Sequence, residues 1–535
     1  MRRRSILTRQ VGMDRRVYPC DGAHTIEGNS MDREGRRVEL ELTRETLRFE
    51  RFVTRGEDQV TIEGEATLPG SMRDAVTVLS VQAQAHIIGA QTGMGEAGVR
   101  GRVCFQVLYT QGDLTRIRSL ETRCTFDHTW PLAGAAPGMR ICAAAYVEET
   151  AGRAASGRIT LRARLAVEAE VFEAAEKELV TAVNGGTEGL QTRMQTIRIC
   201  SGETPGAGKT LVREEFELPE RLGAGDVLCT TATVGTCEIS GGSGHVGVSG
   251  VIEVRVLHRP KESGEALVET VHEMPYEMSI DAAVPEGGQL TAAAEVTDVM
   301  ADSTESDKGR MLRVEAEISA ALRLCRQTER ELLADMYSTE GPVLQPSFER
   351  MDIHTAEECA EARESTRVQV SLPPDAPPIG RVLAAFARPI LAKATPGGRR
   401  LDTEGVMDVT LIYLPVDSDI PYAVQTKEPF FMAFPVEAGE NASVHAYAIE
   451  TNVGPSTSDR AELRCVLGVR AVSHGTASIR AVSDVAQLPE EKREYGFVLV
   501  WPEEGESRWE TARRLRVPES SLRPAGKRAL LAFRK

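Results

Sequence analysis

The chain alternates apolar and polar residues over most of its length. Residues 38–42, 60–64 and 158–171 place an apolar side chain at nearly every second position. Because successive side chains of a β-strand point to opposite faces, this alternation predicts strands that are buried on one face only. Apolar residues at helical spacing are rare before the last 42 residues. The pattern therefore predicts a mainly β fold built from antiparallel sheets.

Two landmarks recur three times, about 150 residues apart. One is a Leu-Pro pair, and the other is a glycine-led strand that follows it at a constant interval. The pairs lie at 68–69, 218–219 and 372–373, and the strands at 101–109, 250–258 and 405–413. Landmarks that keep register over three copies predict three tandem units of one domain type. We place them at 38–183, 204–340 and 364–486, each an antiparallel β-sandwich or barrel-like domain.

The segments outside these units carry little strand pattern. Residues 1–37 are expected to be a disordered N-terminal extension, and the sequence leaves open whether Met1 or Met31 is the true start. Linkers are expected at 184–203, 340–363 and 487–493. The middle linker is rich in alanine and glutamate over 355–363, and this composition predicts a loosely helical segment.

The last 42 residues, 494–535, change character. A short strand at 497–500 precedes Ser507, a good N-cap, with Glu510 as its capping-box partner. Trp509, Ala512 and Leu515 then recur at helical spacing. A second short helix and a closing strand follow. The order strand–helix–helix–strand predicts a compact α+β module, called the tail below, whose small core Trp509 fills.

Composition and charge exclude several classes of function. The chain has 535 residues, a net charge of −16 and 5% aromatic residues. A nucleic-acid-binding surface needs a basic face and stacking aromatics, so nucleic acid is not an expected partner. Basic residues concentrate at both ends, which fits either an acidic partner or plain solubility. Ten cysteines without a C-x-x-C spacing favour a reducing cytosol, and no apolar run is long enough for a signal peptide or a membrane span.

Three short motifs have some catalytic or ligand-binding potential. Residues 205–210 end like a phosphate-binding loop, but Glu203 stands where that motif needs glycine and a strand follows it. Cys124 and His128 share a strand face without further metal ligands nearby. His258 replaces a tyrosine of the other repeats, which favours packing over base catalysis. We therefore expect no enzymatic activity, no catalytic residue, no cofactor and no metal.

The array and the tail together resemble the SPOCS-domain proteins of endospore-forming bacteria, the SipL-like family. The resemblance rests on the opening strand 38–42, the Leu-Pro pairs, the glycine-led strands and Ala334-Asp-Met-Tyr-Ser-Thr339 at the end of the second unit. The tail resembles a LysM module at 505–509, at Ala512 and at 526–530. Together these matches cover nearly the whole chain after residue 37.

This resemblance implies a role in spore-coat morphogenesis. Proteins of this kind act in the mother-cell cytosol at the forespore surface, where the LysM module binds the morphogenetic ATPase of the coat basement. The corresponding partner-binding residues here would be Gly505, Glu506, Ser507, Arg508, Trp509, Arg513, Arg516 and Arg523. Glycan-binding LysM modules favour Asp-Thr where this chain has Glu506-Ser507, and an asparagine near Arg523. Both departures favour a protein partner over peptidoglycan.

The leading hypothesis is a non-enzymatic coat-assembly adaptor, with β units as rigid spacers and the tail as the partner-binding element. The alternative is a cell-envelope protein whose tail binds peptidoglycan. For the tail arginines, a solvated helix face is the competing interpretation. The sequence leaves open the identity of the partner, the oligomeric state and the relative arrangement of the units.

Overall fold

The computed structural model describes residues 24–31, 37–68, 75–112, 114–184, 189–203, 206–241, 244–261, 265–282, 289–306, 309–439, 442–489, 496–525 and 529–534. Most of these residues lie in antiparallel strands, and the one α-helix among them is near the C-terminus. The predicted mainly β fold is thereby confirmed.

The first unit consists of two antiparallel sheets, β1-β2-β7-β6 and β3-β4-β5. Phe105, Val107, Leu161 and Leu165 are fully buried between them, so the apolar positions of the alternation face inward. The strands are β1 (His24–Met31), β2 (Arg37–Thr67), β3 (Val76–Gly93), β4 (Glu96–Gln111), β5 (Ile117–Pro131), β6 (Arg140–Ala155) and β7 (Arg158–Asn184).

The second and third units follow the same order: an opening segment, a three-stranded meander, a further strand and a long return strand. In the second unit the opening segment is divided into two strands, which both pair with the return strand. The second unit has β8 (Leu190–Glu203), β9 (Ala207–Leu218), a 3-10 turn (Glu220–Leu222), β10 (Ala224–Gly241), β11 (Gly244–Pro260), β12 (Val268–Ala282), β13 (Gln289–Ser306) and β14 (Gly309–Ser338). The third has β15 (Val343–Ser371), β16 (Ile379–Pro396), β17 (Leu401–Pro415), β18 (Tyr422–Phe434), β19 (Ser443–Ser456) and β20 (Arg460–Leu488).

The glycine-led landmark is the central strand of each meander, namely β4, β11 and β17. Glycine is needed where the neighbouring strand comes close: a Cβ on Gly405 would collide with the carbonyl oxygen of Ile390. Tyr109, His258 and Tyr413 at the ends of these strands are all buried. His258 contacts Thr270 at 2.9 Å and occupies the tyrosine position as a packing residue.

The long strands extend beyond the cores of their own units and meet at a shared cluster, which we call the hub. β2, β14 and β15 have 31, 30 and 29 residues, far above the roughly 5–6 that are typical. Each unit contributes three buried residues to the hub: Leu47, Phe49 and Leu179; Ile197, Ile199 and Leu332; Met351, Ile353 and Ala481.

A second cluster joins the meanders of the three units. It contains Leu79, Leu108 and Ile117 of the first unit, Leu228 of the second, and Leu383 and Ile412 of the third. The units therefore close around shared apolar contacts. They form one body and are not spacers arranged in a line.

Two expectations about the segments outside the units were wrong. β8 and residues 343–363 of β15 lie where linkers were expected, and residues 355–363 are strand and not helix. The physical reason is pairing: β8 hydrogen-bonds to β14 and β15 to β20, which outweighs the helix propensity of the Ala/Glu-rich stretch. Within the expected N-terminal extension, residues 1–37, His24–Met31 pairs with β2. Residues 1–23 and 32–36 lie outside the described residues.

The tail contains the strand–helix–helix–strand order that the sequence predicts. Its elements are β21 (Gly496–Val500), α1 (Arg508–Leu515), a 3-10 turn (Glu519–Ser521), β22 (Arg523–Pro524) and β23 (Leu530–Arg534). The sheet order is β21-β23-β22, so β21 is an edge strand. Over the described ranges, no helix has the length and apolar character that crossing a bilayer requires.

Candidate partner-binding tail

Helix α1 starts at a complete capping box. The Ser507 hydroxyl accepts a hydrogen bond from the Glu510 backbone N–H at 3.2 Å, and the Glu510 carboxylate accepts one from the Ser507 backbone N–H at 2.7 Å. Gly505 precedes the cap with φ +86°, a conformation that favours glycine. Gly505 and Ser507 therefore have a structural role at the start of the helix.

The core of the tail is completed by a side chain of the second unit. Trp509, Ala512, Leu515, Val517, Leu522 and Ala532 are buried together with Tyr337 of β14. The rings of Tyr337 and Trp509 meet edge to face at 5.0 Å. Trp509 fills the small core, as the sequence predicts. The same core also attaches the tail to the body.

Asp335 of β14 anchors this attachment. Its Oδ2 accepts hydrogen bonds from Trp509 Nε1 at 2.8 Å and from Arg513 at 3.0 Å. The β14–β8 register shifts between Leu333 and Asp335, and such a bulge redirects the side chains that follow it. Asp335 is buried and accepts one hydrogen bond from a guanidinium and one from an indole N–H. Hydrogen bonds to an ionised acceptor are strong and directional, so they fix the tail in place.

Tyr337 and Arg516 extend the attachment on either side of Asp335. The Tyr337 hydroxyl donates to the Val517 carbonyl at 2.9 Å, and burial raises the pKa of Tyr337 to about 12, so the hydroxyl stays protonated. Arg516 donates to the carbonyl and hydroxyl oxygens of Ser338 at 2.8 and 2.7 Å and to the Gly341 carbonyl at 2.9 Å. The Asp-Met-Tyr-Ser-Thr ending of the second unit is thus the docking site of the tail.

The eight residues expected to bind a partner fall into three groups. Trp509, Arg513 and Arg516 face the second unit. Gly505, Ser507 and Arg508 hold the tail's own fold, since Arg508 donates to the Leu522 carbonyl at 2.8 Å. Glu506 pairs with Arg514, whose hydrogen bond lowers the pKa of Glu506, and Arg523 is exposed on β22. The structure does not bring the eight together on one open surface.

An apolar surface on the opposite side of the tail was missed from the sequence. Phe497, Leu499 and Trp501 are 76%, 48% and 63% exposed, whereas the alternating Val500 is buried. We call these three residues the outer face of β21. The sequence contains a pattern that predicts this surface, because apolar residues run without interruption from 497 to 501. A strand that packs on one face buries only every second side chain, so the others are exposed.

The other candidate motifs are explained by packing and surface contacts. Lys209 lies in strand β9 and pairs with Glu317 at 3.0 Å, so no helix N-terminus follows that could hold a phosphate. His128 contacts Asp58 at 2.9 Å and stacks on Trp130, while Cys124 faces the Gly64 backbone of β2.

Comparison with known proteins gives one family-model match, to part of the first unit. Residues 74–151 match the family model described as the SipL, SPOCS domain. This segment includes the meander β3–β5 and most of β6 of the first unit. No curated protein and no solved structure matches the chain. The match indicates a sporulation-related role.

Proposed function

We propose that this protein is a non-enzymatic assembly adaptor of the spore coat, whose tail binds a protein of the coat basement at the forespore surface. The SPOCS-domain match of residues 74–151 supports the sporulation-related part of the proposal. The proposed partner class, a morphogenetic ATPase or another coat protein, is the one that the family resemblance of the sequence implies. The observation that carries the proposal is the docked tail: one side is anchored on Asp335, and the outer face of β21 is exposed.

The outer face of β21 has the chemistry of a protein-binding surface. Aromatic residues are enriched among the residues that dominate binding energy at interfaces, and two of its three members are aromatic. β21 also lies at the edge of the sheet order β21-β23-β22, so the surface is at the margin of the tail sheet. A partner can therefore cover the exposed apolar side chains.

Catalysis has no part in the proposal. Several groups with catalytic potential are engaged in packing within the described structure. Burial lowers the pKa of His258, and His128 is held between Asp58 and Trp130. The body then supplies shape and stiffness, and the tail supplies the binding surface.

Co-purification from sporulating cells tests this function. We expect a tagged chain carrying Leu499→Asp or Trp501→Ala to lose the coat-basement protein that the wild type retains, by about 30-fold for a hot-spot loss of ~2 kcal/mol. The matched control is Phe431→Ser, since Phe431 is an aromatic residue of the third unit that is also largely exposed. Deleting 490–535 should abolish capture.

Two results would contradict the proposal. Equal capture by Leu499→Asp, Trp501→Ala and the wild type would exclude the outer face as the binding surface. Retention of the wild-type chain on insoluble peptidoglycan, lost on deletion of 490–535, would favour the glycan-binding alternative over a protein partner.

A further inference from the structure

Three ligand-type side chains of the third unit lie together at the edge of the hub. His354, Glu357 and His474 place one nitrogen or oxygen each within 4.8 Å of one another. Their side chains are 0%, 9% and 5% exposed. Burying two imidazoles and a carboxylate beside an apolar cluster is costly unless they have partners, so the grouping requires an explanation.

A β-bulge brings these residues onto one face of the sheet. In a regular strand, His354 and Glu357 would point to opposite faces because they are an odd number of residues apart. The β15–β20 register shifts between His354 and Ala356, so His354 lies opposite Thr476 and Glu357 opposite His474. Thr476 and His474 share a face, and the bulge therefore places His354 on that face too.

Glycine at position 475 makes the bulge possible. A Cβ on Gly475 would lie 2.7 Å from Thr355 Oγ1 and 3.3 Å from the Ala356 backbone nitrogen. The bulge and the glycine opposite it are thus a matched pair. Bulges are common next to functional sites because they redirect single side chains.

The two imidazoles have the separation that a tetrahedral metal ion requires. His474 Nδ1 and His354 Nε2 are 3.4 Å apart. Two Zn–N bonds of about 2.0–2.1 Å at a tetrahedral angle place their nitrogens about 3.3–3.4 Å apart. The pair of nitrogens therefore needs no rearrangement to share one ion.

A carboxylate lies on the far side of each ring. His474 Nε2 lies 2.8 Å from Glu170 Oε2, and His354 Nδ1 lies 3.5 Å from Glu50 Oε2 and makes no hydrogen bond to a described residue. Metal-binding histidines usually direct the outer N–H to such a carboxylate. With protons on the outer nitrogens, two lone pairs face each other across 3.4 Å, and a cation between them removes that repulsion.

We propose that His354, Glu357 and His474 bind one divalent transition-metal ion, with Zn²⁺ the best fit. Arg323 occupies Oε2 of Glu357 at 2.7 Å, which leaves Oε1 for the metal. A site with two imidazoles and one shared carboxylate favours zinc over the oxygen-binding ions Mg²⁺ and Ca²⁺. Water fills the remaining coordination position.

The site lies where the three units meet. Its outer carboxylates Glu50 and Glu170 belong to the first unit, Arg323 to the second, and the ligands to the third. The bound ion thus links the units by fixing the rings that these carboxylates contact. This role is separate from partner binding by the tail.

Metal titration of the full-length chain tests the proposal. After dialysis against a chelator, the wild type should bind one Zn²⁺ in competition with a chromogenic chelator, and Co²⁺ should give the visible absorption of a tetrahedral site. His354→Gln and His474→Gln should abolish both signals, and Glu170→Gln should weaken binding about 10–100-fold. Zn²⁺ should raise the thermal midpoint of the wild type but not that of His354→Gln or His474→Gln.

The matched control is His245→Gln, an exposed histidine that also contacts a carboxylate, Asp281. It should bind Zn²⁺ like the wild type. Circular dichroism identifies any variant that fails to fold, and Glu170→Gln, which changes no ligand, still tests the site in that case. No Zn²⁺ binding by the wild type, or equal binding by the His474→Gln and His245→Gln variants, would overturn the proposal.

Discussion

At the residue scale, the docking of the tail depends on a single carboxylate. Asp335 satisfies two donors from the tail, the indole of Trp509 and the guanidinium of Arg513. Both the donors and the acceptor are wholly or largely buried. Loss of the carboxylate would leave those donors without a partner in a poorly solvated site, which is more costly than the hydrogen bonds alone.

We therefore expect Asp335→Ala to detach the tail while the body remains folded. The loss should be about 2–3 kcal/mol for hydrogen bonds to a buried charge. Trp509 would become exposed, and its fluorescence should shift to longer wavelength. Asp127→Ala removes an exposed ion pair with Arg100 and should leave the fluorescence unchanged. An unshifted Asp335→Ala spectrum would contradict the role of Asp335.

The residues that sequence reasoning could identify were those with a local signature. Ser507 and Glu510 form the capping box that their spacing predicts. Asp335 carries no such signature, because its partners are over 170 positions away in the chain. His354 and Glu357 were missed for two other reasons. Their strand was predicted to be a linker, and the bulge that places them on one face arises from the pairing of β15 with β20.

At the element scale, glycines decide how closely the strands of a meander approach. Gly405 in β17 faces the Ile390 carbonyl of β16, where a Cβ has no room. The neighbour is backbone, which cannot rotate away as a flexible side chain can. The glycine that begins the landmark in the third unit is therefore a packing requirement.

Gly405→Ala should destabilise the third unit by about 1–3 kcal/mol, the usual cost of overpacking. The thermal midpoint of the full-length chain measures the effect. Gly89→Ala is the control, since nothing lies within 4 Å of its Cβ position. Equal midpoints for the two variants would show that β16 can move away from β17 at little cost.

At the scale of the whole molecule, charged residues as well as apolar ones hold the units together. Glu170 of the first unit contacts His474 of the third at 2.8 Å. Burial alone would raise the pKa of Glu170, but the hydrogen bonds and charges of His474 and Arg55 outweigh it, so the pKa lies below its ordinary value of 4.5. The alternation of apolar and polar residues predicted which faces of the strands are buried. It did not predict that some of these faces are covered by residues of another unit.

Stability should consequently fall on acidification. Because the folded-state pKa of Glu170 is lowered, its contribution is complete above about pH 4.5 and is lost as the pH drops through the folded value. Thermal midpoints measured from about pH 7 to about pH 3 should decline less steeply for Glu170→Gln than for the wild type. Glu65→Gln, in an exposed pair with Arg158, should keep the wild-type slope, and a parallel decline for Glu170→Gln would contradict this role.

The β14–β8 ladder has a mechanical consequence for the way in which the tail is held. The tail is held at the end of β14, and its covalent connection runs to β20, so tension on the tail passes into both long strands. Backbone hydrogen bonds of antiparallel strands lie across the strand axis. Load along β14 therefore shears many backbone hydrogen bonds at once instead of opening them one by one, a geometry that resists tension.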